Sequence, residues 1–335
     1  MTKILTLDQV FQVARESLVE SGASLEQADP VARSIRDAEA EGTRSIGLGY
    51  LPYYCQHLKI GKIDGAAKPV VLQPLPASIR IDAANGFAHP AYEAGEAQLL
   101  SVAREQGIAL MGISNAYACG VLGYFTRRIA NAGLVAIMTT NSSAAMAPWG
   151  GNIPFLGTNP WSFAAPREQT PLVIDSSSTA TAYINVANAA AEGQSIPADW
   201  ALDKEGHPTT DPNAGLAGSI APAGGHKGAA LALMVEVLSA GLTDSNWSYR
   251  ASPLGNDQGG PPQLGQIVIA IRPDGLGATN LSQRLEEMLV DMTAQQGVRV
   301  PGDRRQSNRD NSERDGVSVD STLWTQLQAL GAKLS

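Results

Sequence analysis

Apolar positions recur at helical spacing from the start of the chain. Thr6 and Gln9 form a capping box for a helix running to about Glu20, and Ser24 with Gln27 opens a second. Pro30 falls inside that second pattern and predicts either a kink or a later start. Tyr50 to Gly65 reads as a short helix and turn, and Pro90 to Gln106 as a longer helix. Between them, Val70 to Ala83 alternates and carries prolines, which predicts strands near a sheet edge. Ile108–Ile113, Leu134–Thr139, Leu172–Asp175 and Gln266–Ile271 are short apolar strands separated by loops of Gly, Asn, Ser and Pro. Gly225 to Leu242 is a small-residue helix with a nearly continuous apolar face, so it is predicted to be buried. Leu281 to Gln296 places Leu285, Met288, Leu289 and Met292 on one stripe, and a short helix around Leu323–Leu330 closes the chain. Gly302 to Gly316 is polar and densely charged and reads as an exposed loop. No internal repeat is present.

Composition narrows the class. The 335 residues suffice for two lobes, or for one domain with an elaborate insert. With 44% hydrophobic and 17% charged residues the chain is globular rather than disordered. A net charge of −8 offers no electrostatic footprint for nucleic acid or an anionic membrane. No window is apolar enough to span a bilayer, and MTKILTLDQVFQ lacks the features of a secretory signal. The expectation is a soluble, cytoplasmic protein acting on a small molecule, with Cys55 and Cys119 as reduced thiols. Neither cysteine has metal-ligand spacing, and no metal is expected.

No glycine fingerprint follows a strand, and neither a phosphate-binding Walker loop nor an HExxH helix occurs. Three other strings carry the chemistry. In FLGTNPWSFAAPRE, Phe155 to Glu168, the Asn159-Pro160 step predicts an extended Asn159 whose side chain points into a cleft with the Thr158 hydroxyl; a plain turn between strands is the alternative. In GGHKGAALALMVEVLSAGL, two glycines precede His226-Lys227-Gly228 at a helix start, which suits an anion such as phosphate, or simple capping. In VRVPGDRRQ, Arg304 and Arg305 follow a Pro-Gly turn and are either phosphate ligands or solvated surface residues.

In this order and at these separations, the three strings resemble the type-2 malate/L-lactate dehydrogenases. Within that family the chain looks most like the Δ1-piperideine-2-carboxylate/Δ1-pyrroline-2-carboxylate reductases. EGTRSIGLGYLP, IDAANGFAHPA, IDSSSTATAY and WALDKEGHPTTDP extend the resemblance over nearly the whole chain. It implies an α/β fold with a non-Rossmann, largely antiparallel-sheet cofactor domain inserted in a discontinuous, mainly helical lobe. The lobe would span residues 1–110 and 276–335 and the cofactor domain 111–275, in a homodimer with clefts near the subunit interface. It further implies cofactor contacts from Asn141, Thr158, Asn159, Asp175, Ser176, Ser177, Ser178, His226, Lys227, Gly228, Asp303, Arg304 and Arg305. The arginine pair suits a 2′-phosphate, so NADP(H) is expected rather than NAD(H).

The chain departs from the family where the substrate is held. The early Ser-His-Gly motif, followed by Arg, becomes Ser45-Ile46-Gly47 with Tyr50 in the arginine's place. The second histidine motif becomes Ser114-Asn115-Ala116-Tyr117-Ala118-Cys119-Gly120, with an apparent two-residue insertion and no histidine. A basic residue common after the Asp-Ser-Ser region falls at Tyr183. Reduction of a 2-keto acid needs a proton donor, and these changes remove the usual one. A protonated imine already carries its proton. The expected activity is therefore NAD(P)H-dependent hydride delivery to a C=N bond, that of a cyclic imine. The expected substrate pocket comprises Arg44, Ser45, Ile46, Tyr50, Tyr117 and Cys119. Tyr183 and Tyr117 are the candidates for proton relay or cation stabilisation, with Asp203 behind them. A ketone or enone reductase, and a non-redox catalyst or binding protein that keeps the cofactor pocket, stand as alternatives.

Overall fold

The computed structural model describes residues 2–333. The elements run in chain order as β1 (Lys3–Leu5), α1 (Leu7–Glu20), α2 (Leu25–Ala40), α3 (Leu51–Lys59), β2 (Val70–Leu75), β3 (Ser78–Asp82), α4 (Ala88–Gln106), β4 (Ile108–Ala116), α5 (Leu122–Asn131), β5 (Val135–Thr140), β6 (Trp161–Ala165) and β7 (Leu172–Ser176). They continue with α6 (Tyr183–Glu192), β8 (Ala201–Leu202), β9 (Pro208–Thr209), α7 (Pro212–Ala217), β10 (Ser219–Ile220), α8 (His226–Glu236), β11 (Leu264–Ile271), α9 (Leu281–Thr293), α10 (Asp303–Asp315), β12 (Val317–Val319) and α11 (Ser321–Ala329). A π-helical turn, Val237–Gly241, extends α8.

The main sheet has seven strands in the order β2-β3-β4-β11-β5-β6-β7. Only β3 and β4 pair in parallel, and α4 supplies the crossover that a parallel pair requires. Every other pairing is antiparallel. The fold is thus α/β with a largely antiparallel sheet. The proline-bearing β2 forms an edge, where Pro74 deprives no neighbour of a ladder bond, and the register shifts between Leu72 and Leu75. The boundary expected at residues 110/111 falls inside β4, and β2 and β3, from the chain's first part, complete the sheet.

Two cores organise the chain. One packs α4 and α5 on the sheet through Leu99, Met111, Ile113, Phe125 and Val268. The other gathers α1, α2 and α3 around Leu18, Val31, Leu51 and Tyr54, with β12 and α11 closing it. The Thr6–Gln9 capping box is present, and Ser24 accepts from the Gln27 amide at the start of α2. Pro30 neither delays nor ends α2, which runs through it to Ala40. The proline removes one backbone bond, while burial of Ala28, Val31, Ala32 and Ile35 against neighbouring helices holds the turn.

Three expectations are corrected. Gly302–Gly316 is not a loop: its residues form α10, which starts at a left-handed Gly302 and buries no side chain. Arg309 pairs with Asp37 and Glu41 of the α2 region, and Arg305 with Asp175, so charge rather than apolar area docks this helix. The Gly225–Leu242 helix is only half buried; Leu233, Met234, Val237 and Leu242 are all exposed by about half or more. Met288 also faces outward, leaving Leu289 as the buried member of the α9 stripe. Among the described residues, no helix is long and apolar enough to cross a membrane.

Candidate active site

The turn carrying Ile46 and Tyr50 is shaped from beneath by Glu39. Its carboxylate, on a residue 2% exposed, accepts the Leu48 amide at 2.7 Å. A Cβ on Gly47 would lie 2.4 Å from Glu39 Oε1, so only glycine lets the turn close over this carboxylate. Burial pushes Glu39 up from 4.5 to about 7, against the opposing pull of the Leu48 amide and Arg44. The folded protein therefore holds this proton more tightly than the unfolded chain does. Its contribution is full below about pH 4.5 and is lost as pH rises to about 7, a change of about 3 kcal/mol. In urea unfolding, the wild type is expected to lose stability from pH 5 to 8, and Glu39→Gln to stay level. Parallel curves would assign the titration to another group.

Above this turn lie two connected cavities, of about 150 Å³ and 450 Å³. They share Ile46, Tyr50, Ser142, Thr158 and Leu254. Cys119, Gly120 and Asn141 line the smaller; Ser177, Tyr183 and the 253–256 segment line the larger. No Asp, Glu, Lys, Arg or His lines either cavity. Burial pushes the Tyr50 phenol up to about 12, so it remains a neutral donor across the physiological range. The Cys119 thiol, also raised to about 12 by burial, stays protonated and unreactive.

The cofactor strings converge on the end of β7. The Ser178 amide donates to Thr158 O at 2.9 Å, its hydroxyl to Asn159 O at 2.7 Å, and the Ala223 amide donates to Ser178 O at 3.0 Å. These bonds join the Thr158-Asn159 turn, the Asp175–Ser178 segment and the glycines before α8. Asp175 accepts from the Gly123 amide at 2.9 Å and from Arg305 at 3.2 Å, drawing in the first turn of α5 and the start of α10. Neither α5 nor α8 has a cap from its N-cap side chain, and glycines with positive φ, Gly120 and Gly224-Gly225, precede them. Exposed His226 and Lys227 open α8, with Trp149 6.0 Å from the His226 ring. Gly228 is required by packing: a Cβ there would lie 2.2 Å from Ala223 O.

A model of the malate/L-lactate dehydrogenase family matches residues 5–328. The chain belongs to this family. It is 39% identical to a Δ1-pyrroline-2-carboxylate reductase of Ancylobacter novellus, over 98% of each chain. It is 41% identical to a (2R)-3-sulfolactate dehydrogenase (NADP(+)) of Chromohalobacter salexigens, over 92% of each. The crystal structure of a Δ1-piperideine-2-carboxylate reductase from Pseudomonas syringae pv. tomato superposes with a TM-score of 0.93 at 36% identity, covering 98% of this chain and all of that one. The protein is an NAD(P)-dependent oxidoreductase of the malate/L-lactate dehydrogenase family.

Within this family member, the structure brings only part of the expected constellation into the cleft. Ile46, Tyr50, Cys119, Asn141, Thr158, Ser177 and Tyr183 line it. Arg44 and Ser45 instead line a neighbouring cavity with Glu39 and Asp320. Tyr117 is 1% exposed and packs among Tyr54, Phe87 and His57, so it cannot touch a substrate in the cleft. Asp203 accepts from the Glu205 and His207 amides in the turn between β8 and β9, and lines neither cavity. Asn159 is left-handed (φ 40°) rather than extended, and its amide turns away to Ala232 O and Glu236. Asn141 uses its amide to tie Asn246 and Gly265 together. Ser176 is exposed, Asp303 faces Arg167 at 3.4 Å, and Arg304 is exposed. Ser142, Tyr53 and the 253–256 segment escaped the sequence reading. The Ser142-Ser143 pair just after β5 was a usable signal; Pro253–Asn256 carries none, because folding alone brings it over Tyr50.

Proposed function

We propose that this enzyme reduces the C=N bond of a cyclic imine with NADPH, and that its preferred ring carries no carboxylate beside that bond. The observation that carries this reading is the uncharged cleft, with Tyr50 where the family resemblance expects arginine. A carboxylate buried without a cation would lose its hydration with no charged partner in return. A neutral imine, or its iminium, meets hydroxyls and tyrosine faces instead. The π-face of Tyr183 favours a cation by about 0.5–2 kcal/mol.

The chain's features fit a dinucleotide: the start of α8, preceded by Gly224-Gly225 and without a side-chain cap, offers amides to a phosphate, and Lys227 and Arg304 are exposed cations. When bound, the cofactor supplies the hydride. Tyr50 donates a proton to the substrate nitrogen, Ser142 and Thr158 orient its polar edge, and Ile46 with Leu254 excludes water. The dinucleotide in this reading follows the end of β7 without a Rossmann crevice, since β4, β11, β5, β6 and β7 run antiparallel. The exposed apolar row on α8 and its π-turn favours a homodimer, checked by light scattering.

The direct test compares Δ1-piperideine with Δ1-piperideine-2-carboxylate as substrates, each with NADPH. Higher kcat/KM for the uncharged ring is expected. Preference for the carboxylate would overturn the substrate assignment, and no oxidation of NADPH with any cyclic imine would overturn imine reduction itself. Ketone reduction is the second reading, favoured by the sulfolactate dehydrogenase relative. In titrations followed by tryptophan fluorescence, Arg304→Ala is expected to weaken NADPH about 10- to 100-fold while leaving NADH unchanged. Equal losses for both cofactors would remove Arg304 from 2′-phosphate recognition.

A further inference from the structure

One wall of the cleft is a loop that the backbone does not hold. Pro253, Leu254, Gly255 and Asn256 line the larger cavity, and Leu254 reaches the smaller one as well. Yet residues 252–262 make no backbone–backbone hydrogen bond, and residues 255–260 are exposed. A segment with neither backbone bonds nor burial ordinarily opens at little cost.

What holds this one is a set of side chains from α3 and the turn after it. Lys62, only 1% exposed, donates from Nζ to Pro253 O at 2.6 Å, Asn256 O at 2.9 Å and Gln258 O at 2.8 Å. Three carbonyls thus take all three N–H groups of the ammonium. His57 Nε2 lies 3.1 Å from the same Asn256 O, which can only accept, so the ring carries its proton there. The Tyr117 hydroxyl, 2.5 Å from His57 Nδ1, donates to that nitrogen and keeps the tautomer. Gln56 reaches the Asp257 carboxylate at 2.9 Å. On the cleft side the bonds are longer: Tyr50 to Leu254 O at 3.4 Å, and the Leu254 amide to Ser143 Oγ at 3.3 Å.

We propose that Lys62 is a positioning residue that fixes the 253–258 loop as a wall of the cleft and thereby sets which ring sizes the enzyme accepts. This inference rests on the reductase reading above. Lys62 lines neither cavity, so it acts through the loop and not on the substrate. Its three bonds bracket Leu254, the loop residue common to both cavities. A neutral side chain in its place leaves three carbonyls without their charged donor, and Leu254 is then free to move outward. One methylene more or less in an apolar pocket changes kcat/KM about 10- to 200-fold when the pocket keeps its shape. A wall that yields loses that discrimination.

Lys62→Met keeps the length of the side chain and removes its donors. Lys62→Gln, which retains an amide donor, is made beside it so that the comparison survives if the first variant does not fold. Reduction of the five-, six- and seven-membered unsubstituted cyclic imines with NADPH is measured first. The wild type is expected to prefer one ring size, and the variants to lose about tenfold of that preference. The loss should come through a higher KM for the preferred ring, with kcat within about threefold and NADPH affinity unchanged. The second measurement needs no turnover: subtilisin should cut within residues 252–262 about tenfold faster in the variants, leaving the rest of the chain intact. Equal cleavage rates, or a fall in kcat with KM and ring preference unchanged, would overturn the role of Lys62. Cleavage spread along the whole chain would make Lys62 a residue of global stability and overturn it equally. Release of the loop in the variants, with no imine reduced by the wild type, would instead overturn the substrate reading and the ring selection with it, while leaving the anchoring of the loop by Lys62 in place.

Discussion

Tyr50→Phe is expected to lower kcat/KM about 100- to 10,000-fold, the usual cost of deleting a positioned proton donor. Tyr50 lines both cavities, and burial keeps its phenol protonated. The ring stays anchored in the variant, stacked on Tyr53 at 5.1 Å and edge-on to Tyr54 at 4.9 Å. The bond lost to Leu254 O is long, at 3.4 Å, so little stability goes with it. Stopped-flow reduction and an NADPH titration on the same sample separate chemistry from binding. Tyr183→Phe is the control: this phenol is 45% exposed, and its removal should cost less than tenfold. If Tyr183→Phe were the crippled variant and Tyr50→Phe retained activity, the donor assignment would pass to Tyr183.

Arg127→Ala is expected to destabilise the fold by about 3–5 kcal/mol, the range for removing one partner from a buried ionic cluster. Arg127 bonds Asp37 and Glu41, and the Glu41 side chain is 3% exposed. Burial lowers the guanidinium to about 10, still protonated at neutral pH. Arg309 bonds the same two carboxylates at 2.8 and 3.1 Å and Arg305 lies 4.0 Å from Glu41, so the variant leaves buried Glu41 and half-buried Asp37 without the guanidinium that bridges them. Such a loss is large against the 5–15 kcal/mol that typically holds a domain together. Arg314→Ala, which breaks the exposed pair with Asp315, should leave stability nearly unchanged. Urea unfolding of both variants decides the matter, and comparable small losses would mean that the cluster does not hold α10 and α5 to α2.

That cluster also explains the clearest misreading of the chain. A segment without apolar periodicity looks like a loop, because burial of an apolar stripe is the usual reason for a helix to form. In α10 the stabilising partners are Asp37, Glu41 and Asp175, far away in sequence. Tyr117 was misjudged for a related reason. Its place in an atypical motif suggested a pocket residue, but its hydroxyl partner is His57, 60 residues earlier, and the two meet only when α3 packs beside the end of β4. Asn159 shows the same limit on a smaller scale: the Asn-Pro step was legible, whereas the left-handed turn that aims the amide at Glu236 was not.

By itself, the sequence determined what is written within a turn or two of chain. The Thr6 and Ser24 caps, the alternating edge strands, the apolar strands of the sheet and the ordered strings marking the family are of this kind. Local hydrogen bonds and side-chain periodicity specify these features without reference to distant residues. The tertiary structure alone decided which polar residues share a cleft, which way they point, and which charges find partners. It set Tyr50 against Leu254, Asp175 against Arg305 and Tyr117 against His57, because desolvation rewards only those pairings that the finished packing brings within reach.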